Sequence, residues 1–297
     1  GITIDDAEGN IQFNETYYKN ENDEYFFDDF AITSSFNGKL RHVVVNSPDI
    51  VEGELKGEFL FRDIGLLFEN ALGSIYTNYK PHKVKLNQFI DFNFKIYNKI
   101  VEVFVPDISL GKNTYVRGRV ESDEEEFKLT FKSPEIKLFD YFASQIELQL
   151  DNKNPLFNAY VEVDSINTKY YNVSKFNLIN KTLNDTLFVR TEFKGGNKNK
   201  DIYNLNFYHT INKENKSVIG FKESDVTFKG NTWTINEKRD FLNKIEFDND
   251  LVNFDIDQIV MNHNKEVIKL SGVVKDSTYK NISLNFKDVD LAKITPT

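Results

Sequence analysis

The sequence lacks cysteine and is poor in methionine, tryptophan and proline, with 0, 1, 1 and 6 of these among 297 residues. The absence of cysteine excludes disulfide bonds, thiolate metal sites and thiol nucleophiles. No run approaches the roughly 18 apolar residues that a membrane-spanning helix needs, and residues 1–6 lack the basic and apolar parts of a targeting signal. Because the chain opens within one alternating pattern and ends just after another, we interpret it as a piece of a longer protein.

Basic residues are fewer than acidic ones, since 37 Lys and Arg against 46 Asp and Glu give a net charge of −9. Nucleic-acid binders gain most of their affinity by neutralising phosphates with Lys and Arg. We therefore predict no nucleic-acid partner for this acidic chain. Hydrophobic residues make up 40% of the sequence, which is typical of an ordered, folded protein.

Aromatic residues are abundant, with 27 Phe and 14 Tyr, and such residues favour the pleated surface of a β-sheet. Apolar and polar residues alternate with a period of two along residues 90–96, 127–131, 146–150, 187–193 and 203–207. The same alternation recurs to residue 286, and it is typical of antiparallel strands with one buried face and one wet face. The sequence therefore predicts an all-β fold.

Helical patterns and turns punctuate these strands. One helix is predicted from Asp63 to Tyr76, where the apolar residues fall on one face. A shorter helix is predicted to begin at Ser133-Pro134 and to carry Ile136, Phe139 and Phe142. The residues Phe36-Asn37-Gly38-Lys39 predict a tight hairpin, and residues 152–155 and 194–197 predict loops.

One phrase occurs twice: an aliphatic residue, any residue and a glycine, then a loop, then a strand that ends in phenylalanine. It reads Val116-Arg-Gly118 before Phe127–Phe131, and Leu270-Ser-Gly272 before Ile282–Phe286. A repeated hairpin-sized unit without fixed spacing predicts a sheet that propagates along an axis. Its apolar face would pack on a second sheet, close into a barrel or curl into a trough.

Motifs for catalysis or metal binding are weak. The four histidines, His42, His82, His209 and His263, are far apart, and His209 continues a strand pattern. The acidic segment at 248–257 lacks the glycine and the glutamate of a calcium loop. We predict no catalytic residue, no metal site and no cofactor, although a carboxylate pair for glycoside hydrolysis is a geometry that only a structure can reveal.

Two segments resemble a known family. Residues 224–296, which include Trp233-Thr-Ile, Ile268-Lys-Leu270-Ser-Gly272 and Leu284-Asn-Phe286-Lys-Asp-Val-Asp-Leu291, look like the repetitive β region of the TamB family in the form found in Bacteroidetes. TamB is the translocation and assembly module subunit of the AsmA-like group. Residues 41–59, followed by the predicted helix and strand 90–105, are similar to the same family.

The resemblance implies an elongated, curled, taco-like antiparallel sheet with an apolar interior, running continuously over residues 1–297, with a possible sub-boundary near 151–155. It implies a non-enzymatic segment of a periplasmic protein that is anchored in the inner membrane and spans towards the outer membrane. Phospholipid acyl chains and an outer-membrane barrel assembly protein of the TamA/BamA type would be its partners, in lipid transport, outer-membrane biogenesis and protein translocation. The residues that we expect to line the lipid groove are Phe92, Phe94, Phe127, Leu129, Phe131, Leu205, Phe207, Leu284 and Phe286.

An alternative of another class is a tandem of β-sandwich modules that bind surface glycans or adhere to proteins. It predicts a boundary near 151–155 and an exposed Trp233 that stacks on sugar rings, together with exposed tyrosines. A glycoside hydrolase is a more distant alternative, which predicts two carboxylates in one cleft.

Overall fold

The computed structural model describes residues 4–19, 24–48, 50–76, 79–97, 101, 107–123, 126–276 and 278–294. The chain divides into two compact units. Unit 1 comprises Gly1–Ile75 and Tyr79–Lys169, and unit 2 comprises Tyr76–Asn78 and Tyr170–Thr297. No helix within the described ranges is long and apolar enough to cross a membrane.

Unit 1 is an antiparallel sheet with one α-helix. Its strands are β1 (Gly9–Lys19), β2 (Glu24–Asn37), β3 (Leu40–Ser47), β4 (Val51–Glu58), β5 (Phe89–Ile96), β6 (Ile108–Leu110), β7 (Thr114–Glu121), β8 (Phe127–Leu138), β9 (Tyr141–Asp151) and β10 (Ala159–Asn167). The helix α1 (Ile64–Gly73) follows a 3-10 helix at Phe61–Asp63, and a further 3-10 helix covers Ile4–Asp6. The strand order is β1-β2-β3-β4-β5-β7-β8-β9-β10, and β6 pairs with β8 beyond the start of β7.

Unit 2 continues the antiparallel pattern. Its strands are β11 (Asn172–Leu183), β12 (Thr186–Gly195), β13 (Asp201–Ile211), β14 (Ser217–Phe221), β15 (Ser224–Phe228), β16 (Asn231–Ile235), β17 (Lys244–Phe247), β18 (Asn253–His263), β19 (Glu266–Lys275) and β20 (Tyr279–Lys287), with 3-10 helices at Asn197–Asn199 and Leu291–Lys293. The strands β14 and β15 both pair with β13, and β16 and β17 both pair with β18. The strands β18, β19 and β20 complete the series.

These pairings confirm the predicted fold class: the chain is all-β and antiparallel, with short helical segments. The predicted hairpin is present, because Asn37 pairs with Leu40 across a two-residue loop in which Gly38 has φ of 65°. The helix over 63–76 is confirmed at Ile64–Gly73. The possible sub-boundary near 151–155 falls in the loop that joins the paired strands β9 and β10 inside unit 1.

The second predicted helix is wrong. Residues 133–138 belong to β8, Phe139 lies in the turn after it, and Phe142 lies in β9. Pro134 fits a strand because it has no cross-strand partner on either side: it falls between the β6 and β7 pairings of β8, and it is skipped between Ser133 and Glu135 in the pairing with β9, so no N–H donor is needed there. Pairing on both sides then holds Ile136 in the sheet, against Leu110 and Ala143.

The glycines of the repeated phrase mark close approaches between strands. A Cβ atom on Gly118 would lie 2.0 Å from the carbonyl oxygen of Lys128, and one on Gly272 would lie 2.2 Å from that of Asn281. Both glycines pair with the second strand of their hairpin, opposite Leu129 and Ile282. The phrase thus encodes hairpins in which one strand lies unusually close to the next at a position without a side chain.

Candidate functional site

The apolar side of the unit 1 sheet is covered by helix α1 at one end. Leu67, Ala71 and Ile75 project from the helical segment into a core that includes Ile90 and Phe127, both 0% exposed. The rings of Phe68 and Phe92 pack with centroids 5.3 Å apart. Each of these contacts removes apolar surface from water, so this part of the face is a structural core.

The same face continues beyond the helix. A transverse row of paired residues runs through Phe94, Val116, Phe131 and Leu148, and these side chains are only partly buried. Of these residues, Phe94, Val116 and Leu148 pack against the helix-covered core. Unit 1 therefore passes from a covered core to a half-exposed apolar surface along the strand direction.

Unit 2 presents a longer apolar surface, which we call the open face. Its members share one side of the sheet through direct cross-strand pairing, for example Ile219 with Ile245, Ile245 with Ile256, and Leu270 with Leu284. All are half-buried or exposed. They are Leu187, Leu205, Phe207, Ile219, Ile245, Phe247, Phe254, Ile256, Ile259, Met261, Ile268, Leu270, Ile282, Leu284 and Phe286.

No α-helix covers this surface within the described part of unit 2, where the helical segments are two 3-10 turns. On the same side of the sheet, however, Val226, Trp233 and Ile235 are buried. The exposure is greatest on β20, where Ile282, Leu284 and Phe286 are 54%, 53% and 47% exposed. Contiguous exposed apolar surface of this kind is uncommon on a soluble protein and usually marks a binding surface.

A few polar side chains interrupt the open face. His209 lies between Leu187 and Ile219 in one transverse row, and its ring nitrogen Nε2 is 3.2 Å from the hydroxyl of Ser217. Burial lowers the pKa of His209 below its usual value of 6.5, because the apolar surroundings disfavour the charged imidazolium. The histidine is therefore neutral near pH 7 and compatible with an apolar surface.

The nine predicted groove residues all lie on the apolar side of the sheet within their own unit, but in different surroundings. Phe92 and Phe127 belong to the helix-covered core, with Phe94 and Leu129 packed against it. Phe131, Leu205 and Phe207 are partly buried. Leu284 and Phe286 are exposed. The structure thus divides the predicted set into core residues and surface residues, which the sequence pattern could not separate.

Sequence analysis missed Arg41, which is buried on the apolar face of unit 1 and only 2% exposed. Its guanidinium lies over the rings of Phe36 and Phe61, 4.6 and 4.5 Å from their centroids, and donates to the backbone carbonyl of Asp5. Desolvation lowers the pKa of Arg41 from its ordinary value. The alternation of Arg41 with Val43 and Val45 was the signal that could have placed it on this face.

Trp233 is fully buried, at 0% exposure. It pairs with Val226 on the apolar side of the sheet, and its ring lies 5.3 Å from that of His263. The exposed Trp233 that the glycan-binding alternative predicts is therefore wrong. This side chain cannot stack on a sugar without unfolding of the strand that carries it.

The acidic segment at 248–257 closes a turn. The carboxylate of Asp248 accepts hydrogen bonds from the backbone N–H of Val252 at 2.9 Å and from the side chain of Asn253, and these donors lower its pKa. Across the part of the chain that the structure describes, no three His, Asp or Glu side chains are grouped so that they could hold a metal ion.

Comparison with known proteins gives no relative. No family model, no curated protein and no solved structure matches this chain.

Proposed function

We propose that the chain is a non-enzymatic segment of a periplasmic protein of the TamB/AsmA-like type, and that its open face shields the acyl chains of phospholipids. The observation that carries this proposal is the open face itself: strand after strand in unit 2 turns aliphatic and aromatic side chains to one side, these side chains stay half-buried or exposed, and no α-helix of the described part of unit 2 covers them.

Binding of an acyl chain to the open face would remove apolar surface of both from water. Each methylene group of an acyl chain that leaves water for such a surface gains about 0.8 kcal/mol. The open face crosses β12 to β20 through the directly paired row Leu187, His209, Ile219, Ile245, Ile256, Gly272 and Ile282, so an extended chain lying across the strands meets apolar side chains at every step except His209 and Gly272. The opposite side of the sheet carries ion pairs such as Lys244 with Glu246 within β17 and Lys244 with Asp257 across to β18, which keep that side in water.

The cellular setting in this proposal follows from the resemblance alone. It places the chain in the periplasm, as part of a protein anchored in the inner membrane and spanning towards the outer membrane. The partners would be phospholipids and an outer-membrane barrel assembly protein of the TamA/BamA type, and the process would be lipid transport between membranes, assembly of outer-membrane proteins, or both.

The test compares two double variants of β20 that add the same charge on opposite sides of one strand. Leu284→Lys with Phe286→Lys changes the open face, whereas Ser283→Lys with Asn285→Lys changes the other side. Each protein is purified from cells with a phospholipid-rich envelope, and bound lipid is extracted and quantified by mass spectrometry.

We expect phospholipid to accompany the wild-type chain and the Ser283/Asn285 variant in equal amounts. The Leu284/Phe286 variant should retain about tenfold less, equivalent to about 1.4 kcal/mol of binding free energy. Absence of phospholipid from the wild-type protein, or equal loss in both variants, contradicts the proposal. Because all four positions are exposed, none of the substitutions should prevent folding.

A further inference from the structure

A loop leaves the sheet of unit 2 between β16 and β17. These two strands lie one after the other along β18, with Ile235 paired to Met261 and Ile245 paired to Ile256. The intervening residues 236–243 form an excursion from this shared line, and Phe241 at its tip is 87% exposed. Because β16 and β17 lie end to end along β18, a loop of this length is not needed to connect them.

Buried polar side chains fix the base of the excursion. The Asn236 side-chain amide donates to the carbonyl of Phe221 at 2.7 Å, and the side-chain oxygen of Asn243 accepts from the N–H of Val260 at 2.8 Å. These side-chain hydrogen bonds take the place of the backbone hydrogen bonds that are lost where the strand is interrupted between β16 and β17. Asn243 also donates to the Asp240 carboxylate at 2.8 Å. With Asn236 and Asn243 only 4% and 2% exposed, the loop is held in one conformation rather than free to move.

The excursion and the neighbouring strands enclose a pocket of about 480 Å³, lined by Asn206, Tyr208, Phe221, Lys222, Glu223, Asn236, Arg239, Asp240 and Phe241. This volume lies within the range of about 300–1,000 Å³ that is usual for small-molecule sites. Tyr208 lies flat over Gly220, where a Cβ atom would come within 2.2 Å of its ring. The side chain of Arg239 is fixed by Glu223, which accepts from its Nε at 2.7 Å.

We infer that this pocket binds a short neutral saccharide. The aromatic rings of Tyr208 and Phe241 supply flat apolar surfaces for the C–H faces of a sugar ring. The Asn206 amide, one N–H of which donates to the backbone carbonyl of Glu223 at 3.0 Å, and the Arg239–Glu223 pair supply planar donors and acceptors suited to neighbouring hydroxyl groups. Charges are balanced in the pocket, since Lys222 and Arg239 oppose Glu223 and Asp240, and this balance favours a neutral ligand over an anion or a cation.

The aromatic wall of the pocket lies on the other side of the sheet from the open face, although Phe221, which pairs with Phe207 on the open-face side, also contributes to the lining. Tyr208 and Phe207 are successive residues of β13, so their side chains point to opposite sides of the sheet. Lys222 also lies on the Tyr208 side, with its ammonium group 4.3 Å from the centroid of the Phe188 ring. Saccharide binding here and acyl-chain binding on the open face can therefore succeed or fail independently.

The experiment is calorimetric titration of the full chain with cellotetraose, maltotetraose and chitotetraose. We expect at least one of them to bind with a Kd of about 1 mM or tighter. Phe241→Ala and Arg239→Ala should each weaken that binding about fivefold or more, equivalent to about 1 kcal/mol. Leu242→Ala is the matched control, because Leu242 lies on the same loop at 53% exposure but does not line the pocket.

The Leu284/Phe286 double variant provides a second control and should bind the saccharide like the wild type. Failure of all three oligosaccharides to bind overturns the proposal, and so does binding that Phe241→Ala and Arg239→Ala leave unchanged. Since both residues are exposed, at 87% for Phe241 and 74% for the Arg239 side chain, lost binding in these variants cannot be attributed to misfolding.

Discussion

The two units build the same kind of sheet but treat its apolar face differently. In unit 1, helix α1 covers one end of the face and buries Ile90 and Phe127 completely. In unit 2, the buried apolar side chains are fewer, and the long row from Leu187 to Phe286 stays half-buried or exposed. The alternation of apolar residues thus defines which face avoids water, whereas the covering element decides whether that face becomes a core or a surface for binding.

The solvent-facing sides of the two sheets carry similar ion pairs. Asp91 and Arg119 pair across strands at 2.8 Å in unit 1, and Lys244 pairs with Glu246 at 2.6 Å in unit 2. Ion pairs of this exposed type contribute about 0–1 kcal/mol each. The difference between the units therefore lies on the apolar side of the sheet. The first prediction tests this difference, and two further predictions measure what the polar contacts of unit 2 contribute.

The largest effect on stability should come from truncating a phenylalanine to alanine in the covered core of unit 1, compared with the same truncation on the open face of unit 2. Phe127→Ala removes a ring with 0% exposure and should lower the free energy of unfolding by about 3–5 kcal/mol. Phe207→Ala removes a half-buried ring and should cost less, about 1–2 kcal/mol. Urea unfolding followed by circular dichroism reports both changes, and the fluorescence of the single Trp233 reports unit 2. Equal losses would mean that Phe207 is as well covered in solution as Phe127.

A smaller effect should come from the polar contacts of unit 2. Asn243→Ala leaves the N–H of Val260 and the Asp240 carboxylate without one partner each. Because unsatisfied buried groups cost about 1–3 kcal/mol, the urea midpoint of the Trp233 fluorescence should fall accordingly. The control is Asn285→Ala, at an exposed position in β20, which should change the midpoint little. No shift for Asn243→Ala would show that the excursion adds no stability to unit 2.

The smallest effect should be a pH dependence at the end of unit 2. The backbone N–H of Asp290 at 2.8 Å and the ammonium of Lys293 at 2.7 Å lower the pKa of Glu266 below 4.5, and His263 faces the same carboxylate at 3.8 Å. Since the folded pKa lies below the unfolded one, this contact stabilises the fold above the unfolded value and is lost as pH falls through the folded value.

Hydrogen exchange of the segment 288–294, corrected for intrinsic rates, should therefore show constant protection near neutral pH and a decrease below about pH 4.5. In the Glu266→Gln variant the protection should be lower at neutral pH and lose this acidic decrease. An acidic decrease that persists unchanged in Glu266→Gln would assign it to another carboxylate.

The sequence was sufficient to predict the strands and the face that each turns inward, because period-two alternation is a local signal. It also predicted α1, whose apolar residues share one helical face. It failed at residues 133–138, where Pro134 at the start of an apolar pattern imitates a helix but in fact lies at a break in the pairing of β8 with the strands on both sides. That break depends on how β6, β7 and β9 come together around β8, which no local pattern contains.

The site was harder to predict than the fold. Phe127 and Leu284 have the same alternating neighbours in the sequence, yet one is fully buried and the other is 53% exposed. Their difference depends on where α1 packs, which is a tertiary fact. The burial of Trp233 follows from its pairing with Val226 and was likewise inaccessible. The pocket beside Tyr208 depends on the buried Asn236 and Asn243. Their roles follow from the end-to-end arrangement of β16 and β17 along β18, which the sequence does not reveal.

The glycines of the repeated phrase have a consequence for how relatives of this chain could be found. At Gly118 and Gly272 a carbonyl oxygen of the next strand occupies the place of a Cβ atom, so these positions forbid a side chain rather than require a particular one. The flanking positions need only an apolar residue at every second place. Descendants of one ancestor could thus keep this fold while sharing few identical residues. A search for the spacing of such glycines within alternating strands should find them where sequence alignment does not.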